Sequence, residues 1–276
     1  MYAEIAAVLE ACQNPGPGLQ YACTLAKDLG VRLTGLYIEP EEPPPLDHRP
    51  APSSALVEAG DRVMREAVHA VETKKLLAEL ALSTGIEWGW QQLQDASTAR
   101  IARYARYHDM LLLFRNGLSD AVEASAISVP GVVLESGRPT LVISSARPPP
   151  LFRRVLIGWN GSREAARAVH DALPLLGRAE RVTVAIAAES TLFQQEEEPG
   201  LDIGAHLARH GVRAEVERIE VPTADAGTIL LSLAARMPAD LIVAGCYGQM
   251  RLTEFLFGGV SRSLLREATI PLLLSY

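Results

Sequence analysis

An internal repeat narrows the folds open to this chain. Asp109-Met110-Leu111-Leu112 returns as Asp240-Leu241-Ile242-Val243. Gly137-Arg138-Pro139-Thr140-Leu141-Val142-Ile143 returns as Thr269-Ile270-Pro271-Leu272-Leu273-Leu274. The period is about 130 residues, the size of a domain and well above the roughly 20–50 of a solenoid. The 276 residues therefore read as two copies of one domain, 1–146 and 151–276, joined by the stiff Arg147-Pro148-Pro149-Pro150.

Within each copy, apolar runs alternate with helical stretches. Arg153–Trp159, Arg181–Ala187, Asp240–Ala244 and Pro271–Leu274 are short, branched and apolar, as buried strands are. Val212–Val221 alternates apolar and charged residues, so it reads as a more exposed strand near an edge. Ser162 is placed to cap the helix begun by Glu164–Val169. Ile203–His210 is closed by Gly211, Thr228–Met237 is stopped by Pro238, and a further helix starts at Ser261. In the first half the strands are Ala3–Leu9, Arg32–Ile38, Ile86–Leu93, Met110–Phe114 and Thr140–Ile143. Its helices are Leu19–Leu29, Leu56–Ser83 and Thr98–Tyr107. The alternation implies two tandem copies of an open, mainly parallel five-stranded α/β sheet, Rossmann-like, with helices on both faces. Glu39–Pro52, with six prolines, is a surface excursion of the first copy alone.

Composition excludes several function classes. Lys and Arg total 26 against 33 Asp and Glu, a net charge of −7, so nothing draws nucleic acid or anionic lipid globally. No apolar run reaches the roughly 18 residues of a membrane span, and no signal segment is visible, so the expected location is cytoplasmic. The three cysteines, Cys12, Cys23 and Cys246, do not make a disulfide framework or a structural zinc site. All lysines are Lys27, Lys74 and Lys75, so the second half has no phosphate-loop or Schiff-base lysine.

The informative motif is Ala244-Gly245-Cys246-Tyr247-Gly248, nine residues, then Gly258-Gly259-Val260-Ser261. It begins where an apolar strand ends and finishes where a helix begins. Glycines admit a ligand close to the backbone and aim successive N–H groups at phosphate oxygens, and the helix start adds its positive dipole end. In an open parallel sheet such ligands lie beyond the strands' carboxyl ends, where Asn160 and Gly245 can meet.

This spacing, with Ile270-Pro271-Leu272-Leu273 after it and Val155-Leu156-Ile157-Gly158-Trp159-Asn160-Gly161-Ser162 opening the copy, resembles the universal stress protein family. The resemblance covers Arg153–Tyr276, and the first half is similar to a diverged second copy, as in tandem members. It implies ATP or a related adenine nucleotide, alone or with Mg, held by Gly158, Asn160, Ala187, Ala244, Gly245, Gly248, Gly258, Gly259, Val260 and Ser261. Asn160 stands for the family's aspartate, and Ala187 for its adenine-facing position. Gly259 stands where nucleotide-binding members have a hydroxyl residue. The implied role is a stress-response module working by binding, with a protein partner. The alternatives are a slow ATPase or related enzyme, and a non-binding tandem scaffold. Family members pair through their last strands, which implies an intramolecular pseudo-dimer and leaves room for a further homodimer.

Other residues carry weaker signals. Phe114-Arg115-Asn116-Gly117 replaces the glycine pair in the first copy, with Arg115 read as a solvated loop arginine ahead of a phosphate contact. Cys246 could be activated by the nearby helix dipole, although a small tolerated residue is the simpler reading. His206 and His210 have metal-ligand spacing but read as an exposed helix face. Trp88 and Trp90 alternate on one strand face. No catalytic or metal-ligating set emerges, and between Gly245 and Ser261 the one carboxylate is Glu254.

Overall fold

The apolar runs become strands, and the caps around them set where the helices start. The first half runs β1 (Glu4–Glu10), α1 (Pro15–Leu29), β2 (Arg32–Ile38), α2 (Ser53–Thr84), β3 (Trp88–Leu93), α3 (Thr98–Ala105), β4 (Met110–Phe114), α4 (Val129–Ser136) and β5 (Thr140–Ile143). The second runs β6 (Arg154–Trp159), α5 (Arg163–Leu176), β7 (Arg181–Ala187), α6 (Pro199–Arg209), β8 (Ala214–Ile219), α7 (Ala226–Arg236), β9 (Leu241–Gly245), α8 (Gly259–Glu267) and β10 (Leu272–Ser275). The structure is a computed structural model that describes residues 1–10, 14–39, 53–94, 97–115, 127–143, 152–187, 199–219, 225–246 and 259–276. The proline-rich 40–52, the linker at 144–151 and the centre of the glycine motif at 247–258 lie outside these.

Helix α1 begins four residues earlier than its apolar pattern suggests. Asn14 accepts a hydrogen bond from the Gly16 N–H, and Pro15 stands in the first turn, where its missing donor costs nothing. Helix α4 has no counterpart in the sequence reading, because Val129-Pro130-Gly131 looks like a loop. Ser128 caps it through the Gly131 N–H, and Gly137 at φ 64° ends it.

The strands form one sheet in the order β3-β2-β1-β4-β5-β10-β9-β6-β7-β8. The two halves are therefore not separate sheets. They join through β5 and β10, which pair antiparallel with Val142 opposite Leu272 and Thr140 opposite Leu274. The other pairings among the described residues are parallel. The pseudo-dimer is thus present, and each half covers an apolar strand edge that would otherwise invite aggregation. Strand β8 lies at the sheet's edge, as its charged alternation requires.

One core spans both halves on a single face, including Leu19, Leu112, Leu141, Leu175, Val243 and Leu273. On the other face the core divides. Ile101 of α3 and Val132 of α4 cluster with Leu111, while Leu264 of α8 clusters with Leu156, Ile242 and Leu272. Polar ties cross the join: the Tyr2 hydroxyl donates to the Asp171 carbonyl, and Arg178 donates to the Asp28 carbonyl at 3.1 Å.

Candidate functional site

In the second half β6 pairs with β9 on one side and β7 on the other, so the connections diverge between β6 and β9. Gly158 lies opposite Ala244, which brings Asn160 and Gly245 to the same end of the sheet. That is the switch point expected from the strand order. Backbone Ala187 ends the neighbouring β7, opposite Ile219.

Asn160 folds over the start of α5. Its Oδ1 accepts from the Ser162 N–H at 3.1 Å and the Ser162 hydroxyl at 2.7 Å. Ser162 Oγ in turn accepts from the Ala165 N–H at 3.2 Å, and Gly161 at φ 70° makes the turn between them. Two glycines of the motif have a packing duty. A Cβ on Gly245 would stand 2.5 Å from the Ala165 nitrogen and the Glu164 carbonyl carbon. A Cβ on Gly158 would stand 2.9 Å from Leu230 Cδ1. Gly245 therefore lets the first turn of α5 rest directly on the end of β9.

Glu164, in that first turn, is a carboxylate the sequence reading did not single out. It is 2% exposed and paired with the exposed Arg163, while its Oε2 has no hydrogen-bond partner among the described residues. Burial opposes its ionisation, but Arg163, the first-turn backbone N–H and Ser162 outweigh burial and hold the carboxyl below its ordinary value. Arg163 also lies over the Tyr276 ring, 5.8 Å from its centroid. An acidic residue in the first turn of a capped helix was the available signal.

Helix α8 starts at Gly259, so Gly259, Val260 and Ser261 form its first turn. Ser261 and Cys246 are both buried. The activated-thiol reading of Cys246 fails here, because burial dominates and pushes the thiol up to about 12. Gly248, Gly258 and Glu254 lie outside the described residues.

The universal stress protein family model matches residues 151–275. This stretch is a universal stress protein domain. A universal stress protein from Archaeoglobus fulgidus DSM 4304 aligns over 98% of this chain and 95% of its own at a TM-score of 0.73 and 16% identity. A functionally unknown protein from Pseudomonas aeruginosa PAO1 aligns over 99% and 92%, at 0.63 and 18%. The likeness extends the tandem fold over the first half as well. No curated protein matches the chain.

The first half departs from the universal stress protein domain at the corresponding strand end. Phe114 stands at the end of β4 as Gly245 does at the end of β9, and a Cβ on Gly18 of α1 would lie 3.2 Å from its ring. Bulk and glycine have exchanged places between strand and helix. Arg115 is neither a solvated loop residue nor free for phosphate. Half-buried, it donates to the Leu265 carbonyl in the last turn of α8, tying the first half to the domain. Burial lowers its pKa.

Elsewhere, Trp88 and Trp90 pack on one face, and Trp90 stacks on Tyr37 at 5.6 Å. The His206 and His210 rings lie 4.8 Å apart, with the His206 pKa lowered by desolvation and by His210. Among the described residues no three His, Cys, Asp or Glu side chains gather as a metal site needs, and no helix is long and apolar enough to cross a membrane. A cavity of about 300 Å³ between the halves, lined by Asp28, Phe152, Arg153, Arg178 and Glu180, lies at the opposite end of β6 from Asn160.

Proposed function

We propose that the universal stress protein domain binds one adenine nucleotide, ATP or a close relative, in the crevice between the ends of β6 and β9. The observation that carries this reading is the convergence of Asn160, Gly245 and the first turn of α8 at one switch point. The flanking motif spacing, Gly245-x2-Gly248-x9-Gly258, resembles the family's nucleotide motif. Backbone N–H groups of Gly259 and Val260 at the start of α8 suit an anionic ligand. Ser261 is less suited to it, since its side chain is buried. The two half-domains differ at the corresponding strand end: Phe114-Arg115-Asn116-Gly117 follows β4 where Gly245 opens the glycine motif at the end of β9. One nucleotide per chain therefore follows, with residues 1–146 acting as a structural half and 151–276 as the binding half. Binding would change the surface presented to a protein partner, and regulation rather than turnover is the proposed role.

The test is calorimetry with ATP, ADP and AMP on nucleotide-free protein, alongside extraction of any nucleotide carried through purification. A stoichiometry near one, lost in Gly248→Asp, is the expected result. A stoichiometry near two, no binding, or binding that survives Gly248→Asp would each overturn it.

A further inference from the structure

Helix α2 is far longer than the strands it accompanies: 32 residues, or about 48 Å, against seven-residue β2. Its C-terminal part is seated on the sheet. Ala70, Thr73, Leu77 and Ala81 are buried, and His69 shares a hydrogen bond with the Tyr37 hydroxyl at 2.9 Å. On the opposite side Met64, Val68 and Val71 are 68%, 48% and 69% exposed. At about 100° per residue, these three lie within roughly 60° of one another and about 140° from the buried face. They are a second apolar stripe, not the margin of the core.

The stripe has charged ends. Asp61, Met64, Val68, Val71 and Lys75 are all exposed and follow one another at the alternating three- and four-residue spacing of a coiled-coil seam. Asp61 and Lys75 each lie one heptad from Val68, on opposite sides. A two-fold axis through Val68 would lay a second α2 antiparallel on the first and set each Asp61 against Lys75 of the other copy. Parallel pairing would set Asp61 against Asp61. Lys75 also lies 3.9 Å from Glu79 of its own helix, an exposed pair that competes weakly.

We propose that this face of α2 is a self-association surface, and that its occupant is the antiparallel α2 of a second copy of the chain. The charge complementarity about Val68 selects that occupant. The contact would bury roughly 900 Å² in total, the size of weak and reversible encounters. The proposal does not depend on nucleotide binding.

Sedimentation velocity of the full chain over a concentration series tests it. The expected result is a monomer–dimer equilibrium that Val68→Glu weakens more than about tenfold. Asp61→Lys should weaken it similarly, and Asp61→Lys with Lys75→Asp should restore it, because the swap re-forms both pairs. Thermal melts of these variants should match the wild type, since the substituted side chains are exposed. A chain that stays monomeric to about 1 mM overturns the proposal, whether Met64 oxidises freely or is shielded by another segment of its own chain. A dimer indifferent to Val68→Glu, such as one joined through the edge strands, also overturns it. So does a dimer that the charge swap fails to restore.

Discussion

Gly245→Ala is expected to destabilise the protein even when no nucleotide is present. The new methyl group would lie 2.5 Å from two backbone atoms of α5 and 2.8 Å from a third, the Glu164 carbonyl oxygen. Backbone cannot rotate aside as a side chain can, so the first turn of α5 must rise by about 1 Å to reach ordinary contact. Overpacking of this kind costs about 1–3 kcal/mol. The same displacement strains the Ser162 cap, worth about 1 kcal/mol. A total of about 2–4 kcal/mol corresponds to a fall in Tm of roughly 5–10 °C in a chain of this size. The internal control is Gly60→Ala, on exposed α2 with open space around the added carbon. There the substitution should raise stability by up to about 1 kcal/mol through helix propensity. Calorimetric melts of nucleotide-free protein compare the two. If Gly245 serves only a ligand's close approach, its alanine variant will melt with the wild type. That result would refute the packing argument.

Arg115→Met keeps the aliphatic bulk but loses a charged hydrogen bond to Leu265, so stability should fall by about 1.5–3 kcal/mol in a melt, and an unchanged Tm would count against that tie. Burial pushes the Cys23 and Cys246 thiols up to about 11 and about 12 from an ordinary 9.0. Above pH 9 the unfolded chain releases thiol protons that the folded chain retains, so stability is full below that pH and declines as pH rises toward 12. Melts between pH 8 and 11 should show this fall, and a flat profile would contradict it. At the start of α8, Gly259→Ser restores the family's hydroxyl and should tighten ATP selectively, by up to about tenfold over ADP in titrations. Equal gains for ATP and ADP would mean that position 259 does not meet the terminal phosphate.

Much of the architecture was legible because burial leaves a direct trace in the chain. Strands buried on both faces must be continuously apolar, so Met110–Phe114 and Leu241–Gly245 stood out, as did the charged alternation of edge strand β8. Helix α4 was hidden because eight residues containing Pro130 and Gly131 show too little periodicity to register. At the end of β9 the motif was legible, but the packing of its first glycine was not. Gly158 and Gly245 are required by Leu230 and by the α5 backbone, partners distant in sequence. Glu164 passed unnoticed because a first-turn glutamate is usually solvated. Arg115 was misread because its partner, the Leu265 carbonyl, lies 150 residues away.

The sequence by itself determined that the chain is a tandem α/β protein, where its strands lie, and which strand end carries the glycine motif. Those properties follow from local patterning: apolar runs, caps and glycine spacing are written in neighbouring residues. Only the tertiary structure decided that the two copies share one sheet through antiparallel β5 and β10, and that Phe114 lies against Gly18 at one strand end while Gly245 meets the α5 backbone at the other. It alone showed that Cys246 is buried and that α2 carries a second apolar stripe clear of the core. These depend on which surfaces meet across the fold. A side chain's burial, charge state and room are set by neighbours that proximity in sequence does not reveal.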